Sequence, residues 1–294
     1  MARAVDRNPA GPAGDWFVDT RCIDCDASRQ VAPDLLDRVD GLTVFRRQPE
    51  TPEEIAAAWR AVLVCPTQSI GNLAQRRPPP GVFPYDEGDG VFRCGFNARS
   101  SFGAHSYFVV RPAGNLLVDG PRWAHELVDA FTEHGGLSDV LLTHRDDIGD
   151  AERYAGHFGA RVWIHALDGS AAPFATDLLD GTERTTIRPG LDAVPVPGHT
   201  RGSVMYLVDG DILFTGDSLA WNPRAERLTA FRDVAWFSWD EQIRSLGRLA
   251  ETVRFRRVLP GHGWSHAGDP DALHDDLRAL VERAGGGAER WGDW

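Results

Sequence analysis

The 294-residue chain contains no lysine; all 31 of its basic residues are arginine. That excludes any mechanism that holds a carbonyl substrate as a lysine Schiff base. Cysteine is scarce as well, with four in the whole chain. Four thiols over this length cannot staple a disulfide scaffold, so a reducing cytoplasm is the expected compartment. No apolar run reaches the ~18 residues that would suggest a membrane span. A formal net charge of −12 disfavours nucleic acid and anionic membranes as partners and leaves a small molecule as the expected one. Neither a Gly-rich phosphate loop nor a Gly-x-Ser-x-Gly elbow occurs, so nucleotide hydrolysis and serine-hydrolase chemistry find no support. What remains is an ordinary globular composition, 42% hydrophobic and 25% charged, long enough for one or two domains. Nothing in it sets the oligomeric state.

Composition divides the chain. Residues 1–15 are rich in Pro, Gly and Ala without an apolar h-region, and read as a flexible leader and not a signal peptide. Residues 16–75 form a compact unit. Residues 76–89, opening with Arg76-Arg77-Pro78-Pro79-Pro80-Gly81, read as a stiff linker. Residues 90–294 alternate strand and helix patterns. Tyr107 to Val110 and Asn115 to Asp119 predict a hairpin, and Trp123 to Glu133 a helix ending before Gly135-Gly136. A strand at Val140–Thr143, a helix near Ala151–Phe158 and a strand at Arg161–His165 follow. Ala193 to Val196 carries two flanking prolines and predicts a short or edge strand. Val204–Val208 and Asp211–Phe214 predict a second hairpin, and Asp240–Thr252 a helix capped near Ser238. The expected class is α/β, layered, with loops gathered at one edge of the sheet.

Four polar stations close strand patterns in this larger part. They are His144-Arg145-Asp146-Asp147, His199 in Pro197-Gly198-His199-Thr200, Asp217 in Thr215-Gly216-Asp217, and His262 in Pro260-Gly261-His262-Gly263. Histidine and carboxylate at successive strand ends suggest one metal gathered from distant segments. Their order and contexts resemble the metallo-β-lactamase fold superfamily over roughly residues 92–265. The resemblance implies an αββα sandwich. It aligns His144, Asp146, His199 and Asp217 with the first metal's ligands, Asp146 standing where a second histidine is usual. The second metal's Asp and His fall on Ile148 and Gly149, which cannot ligate, so one divalent ion is expected, zinc or iron with manganese possible. Asp147 and Asp150 read as charges at a helix start, Asp147 remaining a catalytic candidate together with His262 and Asp217. Iron members of the superfamily, the flavodiiron proteins and persulfide dioxygenases, are similar in using carboxylate with histidine. The remaining histidines, His105 and His165 among them, lack a matching context and read as structural or exposed.

Trp221, Trp236, Phe237 and Trp239 follow Asp217, and Arg201 and Ser203 follow His199. An aromatic wall with a cation suits a small organic ligand, which makes Arg201, Ser203, Trp221 and Trp236 the substrate-binding candidates. The resemblance implies metal-assisted hydrolysis of an ester, thioester or amide. An iron oxidoreductase and a binding protein with a decayed metal site stand as alternatives. In the small unit, Cys22-Ile23-Asp24-Cys25 and Cys65-Pro66 resemble the ends of a ferredoxin cluster motif. Ser28 stands at the third ligand position, so an α+β ferredoxin-like domain without a stable iron–sulfur cluster is expected.

Overall fold

All five residues of Val204-Met205-Tyr206-Leu207-Val208 are buried, so this strand must be covered on both faces. Side chains alternate across a strand, and here they alternate between two different cores. Val204, Tyr206 and Val208 face a second sheet, whereas Met205 and Leu207 face helices. The same division holds for Tyr107 and Val109 against Phe108, and for Leu116 and Val118 against Leu117. Helix, sheet, sheet and helix are therefore stacked in four layers. The computed structural model describes residues 1–284.

The small unit comes first. Its β1 (Trp16–Val18) pairs with β4 (Ile70–Asn72), and β2 (Leu36–Val39) forms a hairpin with β3 (Leu42–Phe45). Two helices fill the interval, α1 (Ala27–Val31) and α2 (Pro52–Val64). The start of α2 is set by Thr51 and Glu54, which form a reciprocal capping box, with Pro52 in the first turn. Trp16, Phe45 and Trp59 make the core.

Two expectations about the flanks change. Residues 1–14 lie against this unit: the Asn8 N–H donates to the Val18 carbonyl, and Asp19 accepts from the Arg3 N–H at 2.8 Å. Satisfying the buried Asp19 carboxylate holds the segment in place. The expected linker ends early, because Phe83 is buried in the larger core and β5 (Tyr85–Gly88) already belongs to its sheet.

The first large sheet continues with β6 (Val91–Arg93), β7 (Tyr107–Val109), β8 (Leu116–Val118), β9 (Asp139–Leu141), β10 (Arg161–His165) and β11 (Asp177–Leu179). Its strands lie in the order β11-β10-β9-β8-β7-β6-β5. Helices α3 (His125–Glu133) and α4 (Ala151–Phe158) cover its outer face. The predicted start of α3 at Trp123 moves to His125, since the N-cap residue Ala124 is extended and the Trp123 N–H donates to Asp150. The second sheet has the order β12-β13-β14-β15-β18-β19. These strands are β12 (Thr185–Arg188), β13 (Leu191–Pro195), β14 (Val204–Val208), β15 (Ile212–Gly216), β18 (Arg257–Pro260) and β19 (His266–Ala267), with a side hairpin of β16 (Ala220–Asn222) and β17 (Arg227–Thr229). Helices α5 (Trp239–Thr252) and α6 (Pro270–Arg283) cover it. Ser238 caps α5 as its sequence suggests. Of the two alternatives for β13, short or edge, the strand is short but interior: it has five residues, Pro195 comes last in it and Pro197 lies beyond, so the ladder loses little. None of the described helices is long and apolar enough to cross a membrane. The carboxyl ends of β9, β13, β15 and β18 all open on one rim.

Candidate metal centre

Each station sits just past one of those strand ends. His144 follows β9, His199 follows β13, Asp217 follows β15 and His262 follows β18. His144 and His199 are buried with their rings edge to face at 4.6 Å. The His199 Nδ1–H donates to the Val234 carbonyl, and His144 Nδ1 lies 2.9 Å from Thr143 Oγ1. Thr143 Oγ1 in turn donates to Asp119 at 2.9 Å. Both imidazoles are thereby turned so that Nε2 presents its lone pair to the rim.

Those lone pairs meet only other acceptors. Asp217 Oδ2 lies 3.7 Å from His144 Nε2, 3.6 Å from His199 Nε2 and 3.9 Å from His262 Nε2. Asp146 Oδ2 lies 3.6 Å from His199 Nε2. His144 Nε2, His199 Nε2, Asp217 Oδ1 and Asp147 Oδ2 are buried with no hydrogen-bond partner among the described residues. Orphaned, converging acceptors on this scale are costly unless a cation joins them. An ion ~2.1 Å from each of four donors sets neighbouring donors roughly 3.4 Å apart, close to the separations seen. The donors therefore fit a divalent metal, through His144, Asp146 and His199 or through His144, Asp147 and Asp217.

Charge follows the geometry. Burial pulls the His144 pKa down to about 4, which keeps the ring neutral and able to ligate. Burial opposes the charged form of His199, but the neighbouring Asp146 and Asp217 carboxylates outweigh it and raise its pKa. Asp217 is held below the usual carboxylate range, since His262, His144 and His199 overcome its burial. Burial pushes Asp119 up to about 8 and Asp147 well up, the latter with help from Asp217.

The structure redraws the loop after β9. Asp147 is buried beside Asp217 and does not cap α4; Asp150 is the N-cap residue, and its carboxylate accepts from the Trp123 N–H. Gly149 has φ +48°, and a Cβ there would lie 1.9 Å from the Gly120 carbonyl oxygen. That close approach excludes any larger residue and pulls the loop tight, which brings Asp147 inward. Gly261 serves a similar purpose, since a Cβ on it would meet Asp147 Oδ2 at 2.8 Å and Asp217 Oδ1 at 3.0 Å.

Of the residues expected to touch substrate, Arg201 and Trp236 line a 600 Å³ cavity over the donors, together with Arg145, Asp146, His199 and Phe237. Ser203 is buried beneath it and hydrogen bonds to Thr200. Trp221 lies elsewhere, stacked on His266 at 3.7 Å. His262 Nε2 donates to the Ser101 carbonyl at 3.1 Å. Sequence reasoning missed Asp168, a buried carboxylate just after β10 whose Oδ2 accepts from Thr200 Oγ1 at 2.6 Å and from the Arg145 N–H at 3.1 Å. It ties the His144 and His199 loops together, and no motif surrounds it. His105, read from sequence as structural or exposed, is structural. It is buried, and its Nε2 donates to Gln30 Oε1 of α1 at 2.7 Å, while its N–H donates to the Gly261 carbonyl.

Cys22, Cys25 and Cys65 of the small unit and Cys94 of the larger domain are free thiols. Burial raises the Cys25 and Cys94 thiols, the latter to about 12. Ser28 is buried with its hydroxyl donating to the Ala61 carbonyl, and Cys94 belongs to the core of the larger domain. Three thiols and an engaged hydroxyl do not fit a cluster that asks for four thiolates.

Comparison with known proteins agrees with this architecture. The family described as the metallo-beta-lactamase superfamily matches residues 90–281, and the 4Fe-4S single cluster domain of ferredoxin I matches residues 18–72. A hydroxyacylglutathione hydrolase of Fuscovulum blasticum is 36% identical over 107 residues, covering 35% of this chain and 42% of that protein. One of Xanthomonas campestris pv. campestris is 30% identical over 176 residues, covering 58% of this chain and 65% of that protein. The chain thus spans less than two thirds of either relative. Among solved structures, the metallo-beta-lactamase DIM-1 superposes with a TM-score of 0.51 at 21% identity, over 68% of this chain and 96% of that one. TMB-1 does so at 0.52 and 17% identity, over 68% and 97%.

Proposed function

Because the chain belongs to the metallo-beta-lactamase superfamily, we propose that it is a hydrolase of small organic substrates, acting on an ester, thioester or amide at a single divalent metal. The observation that carries this reading is the set of buried, orphaned acceptors, His144 Nε2, His199 Nε2 and Asp217 Oδ1, of which His199 lines an open cavity together with Asp146. His144, Asp146, His199 and Asp217 would hold the metal. When bound, the metal lowers the pKa of water to about 7 and polarises a carbonyl. The chain's own residues do the rest. Asp146, at the cavity edge, orients the attacking water. His262, 3.9 Å from Asp217, carries the proton to the leaving group. Hydrolysis of a thioester adds the water oxygen to the acyl carbon, breaks the carbon–sulfur bond and yields a carboxylate and a thiol. The hydroxyacylglutathione hydrolases at 30–36% identity favour the thioester among these.

A second reading rests on the donor set. Two imidazoles with two carboxylates form a harder set than imidazole alone, which suits iron or manganese and an oxidoreductase. Metal analysis of protein purified without added metal separates the two. Zinc, with thioester turnover abolished by a chelator and restored by zinc, supports hydrolysis. Iron with substrate-dependent oxygen uptake would replace that reading, and the absence of any bound metal would mark a decayed site. The free thiols fit a reducing, cytoplasmic setting. The ferredoxin-like unit is proposed to work without a cluster.

A further inference from the structure

A second cavity opens beside the first. It holds 350 Å³ and shares three walls with the metal-side cavity: Leu167, Arg201 and Phe237. Pro195 and Pro197 extend it away from the donors. Two of its polar side chains, His165 and Glu241, are already engaged. His165 uses both ring nitrogens, Nε2 on the Gly181 carbonyl and Nδ1 for the Leu167 N–H. Glu241 is paired with Arg244 at 2.7 Å and Arg248 at 3.1 Å. With those two engaged and Arg201 standing on the wall shared with the first cavity, the lining left by Leu167, Pro195, Pro197 and Phe237 selects an apolar occupant.

The rim between the two cavities has an unusual surface. Leu167, Trp236 and Phe237 are 61%, 67% and 43% exposed, so three large apolar side chains gather at one mouth. Such a cluster on a soluble surface marks a binding site. Arg201 stands among them, its guanidinium 5.1 Å from the Phe237 ring centre, and it forms no ion pair among the described residues. On a chain with net charge −12, an unpaired guanidinium at a shared wall is a recognition element for an anion.

We propose that the substrate is an anionic amphiphile: an acyl compound whose reacting carbonyl lies over the donors, whose negative group meets Arg201, and whose apolar chain occupies the second cavity. The position of the carbonyl rests on the hydrolase reading; the chain and charge preferences do not. Binding and turnover therefore separate the two claims.

The binding test is calorimetric titration of the metal-loaded protein with butanoate, hexanoate, octanoate and decanoate, each below its micelle concentration. Octyltrimethylammonium serves as the cationic probe of matched length. Affinity should rise by about threefold or more for every two methylenes added, given the apolar area each buries. Octanoate should bind at least tenfold tighter than the ammonium. Phe237→Ser should flatten the chain-length series. Arg201→Gln should erase most of the preference for carboxylate, which tells Arg201 apart from carboxylate ligation of the metal, and circular dichroism checks that both variants fold. Affinity independent of chain length, or a carboxylate preference unchanged in Arg201→Gln, would overturn the proposal. So would a concentration-dependent dimer that masks the rim, which would assign the apolar cluster to a second copy of the chain. The turnover test uses acyl thioesters of the same chain lengths. A steep binding series without turnover would leave the amphiphile site standing and sink the hydrolase reading, whereas turnover indifferent to chain length would do the reverse.

Discussion

At the scale of single residues, His199 and His262 are the instructive pair. Both follow Pro-Gly at a strand end, and local sequence treats them alike. Their surroundings differ. His199 presents an unpartnered Nε2 to Asp146 and Asp217, whereas His262 Nε2 carries a proton, which it donates to the Ser101 carbonyl. His199→Ala should therefore release most of the metal together with activity, because it removes one of about four ligands. His262→Ala should retain near wild-type metal content and lose turnover, as measured by elemental analysis beside kinetics. Equal metal loss in both variants would make His262 a ligand and require the donor set to be redrawn. The strand-end contexts of His144, His199 and Asp217 made these residues legible in the sequence. Asp147 was not legible as a donor, because aligning the loop position by position placed Ile148 and Gly149 at the second metal. The tight turn at Gly149 that draws Asp147 inward depends on the Gly120 carbonyl, far away in sequence.

Among elements, the decisive contact is between loops. Asp168 holds the loop after β9 to the loop after β13 by accepting from the Arg145 N–H and Thr200 Oγ1 on one oxygen. Such outer contacts orient ligands, and their loss typically weakens metal binding ~10–100-fold. Asp168→Ala should weaken zinc binding by about tenfold in chelator competition. Asp168→Asn should recover most of it, since an amide oxygen can accept the same two bonds. Affinity unchanged in the alanine variant would leave Asp168 a merely structural group. The elements themselves were largely readable. Apolar runs on either side of Pro112-Ala113-Gly114 and of Asp209-Gly210 announced the β7–β8 and β14–β15 hairpins, and Ser238 announced α5. Of the alternatives short or edge for β13, the edge is not taken, because proline weakens a ladder only where its missing N–H would have donated, and Pro195 closes the strand. No local pattern could reveal Asp168, whose partners come from two other segments.

For the whole molecule, the question is what a ferredoxin-like unit does beside a metallo-beta-lactamase sandwich. With Ser28 in a ligand's place and hydrogen bonded to Ala61, anaerobically prepared protein should lack the brown absorbance of an iron–sulfur cluster. Ser28→Cys should bring back part of that absorbance after reconstitution with iron and sulfide. A stoichiometric four-iron cluster in the unmodified protein would reverse the assignment and favour the redox reading. Cys22, Cys25 and Cys65 suggested the unit from sequence alone, but its seat against the larger domain was invisible there. Cys25 and Ala27 share a core with Phe108, Leu117 and Val140, and a Cβ on Gly103 would lie 3.1 Å from Cys25 Sγ.

The bond from Gln30 to His105 bears on how the protein melts. His105 also holds the Gly261 carbonyl, next to Gly261's close approach to Asp147 and Asp217. A unit fastened in this way, with the Cys25 thiol in its neighbour's core, cannot loosen without disturbing the strand end that carries His262. Calorimetry should accordingly record one heat-absorption peak for the entire chain, and zinc should move that peak upward as a whole, because a ligand bound to the native form stabilises everything that unfolds with it. Gln30→Ala should split or broaden the peak, with the lower-melting part no longer responding to zinc.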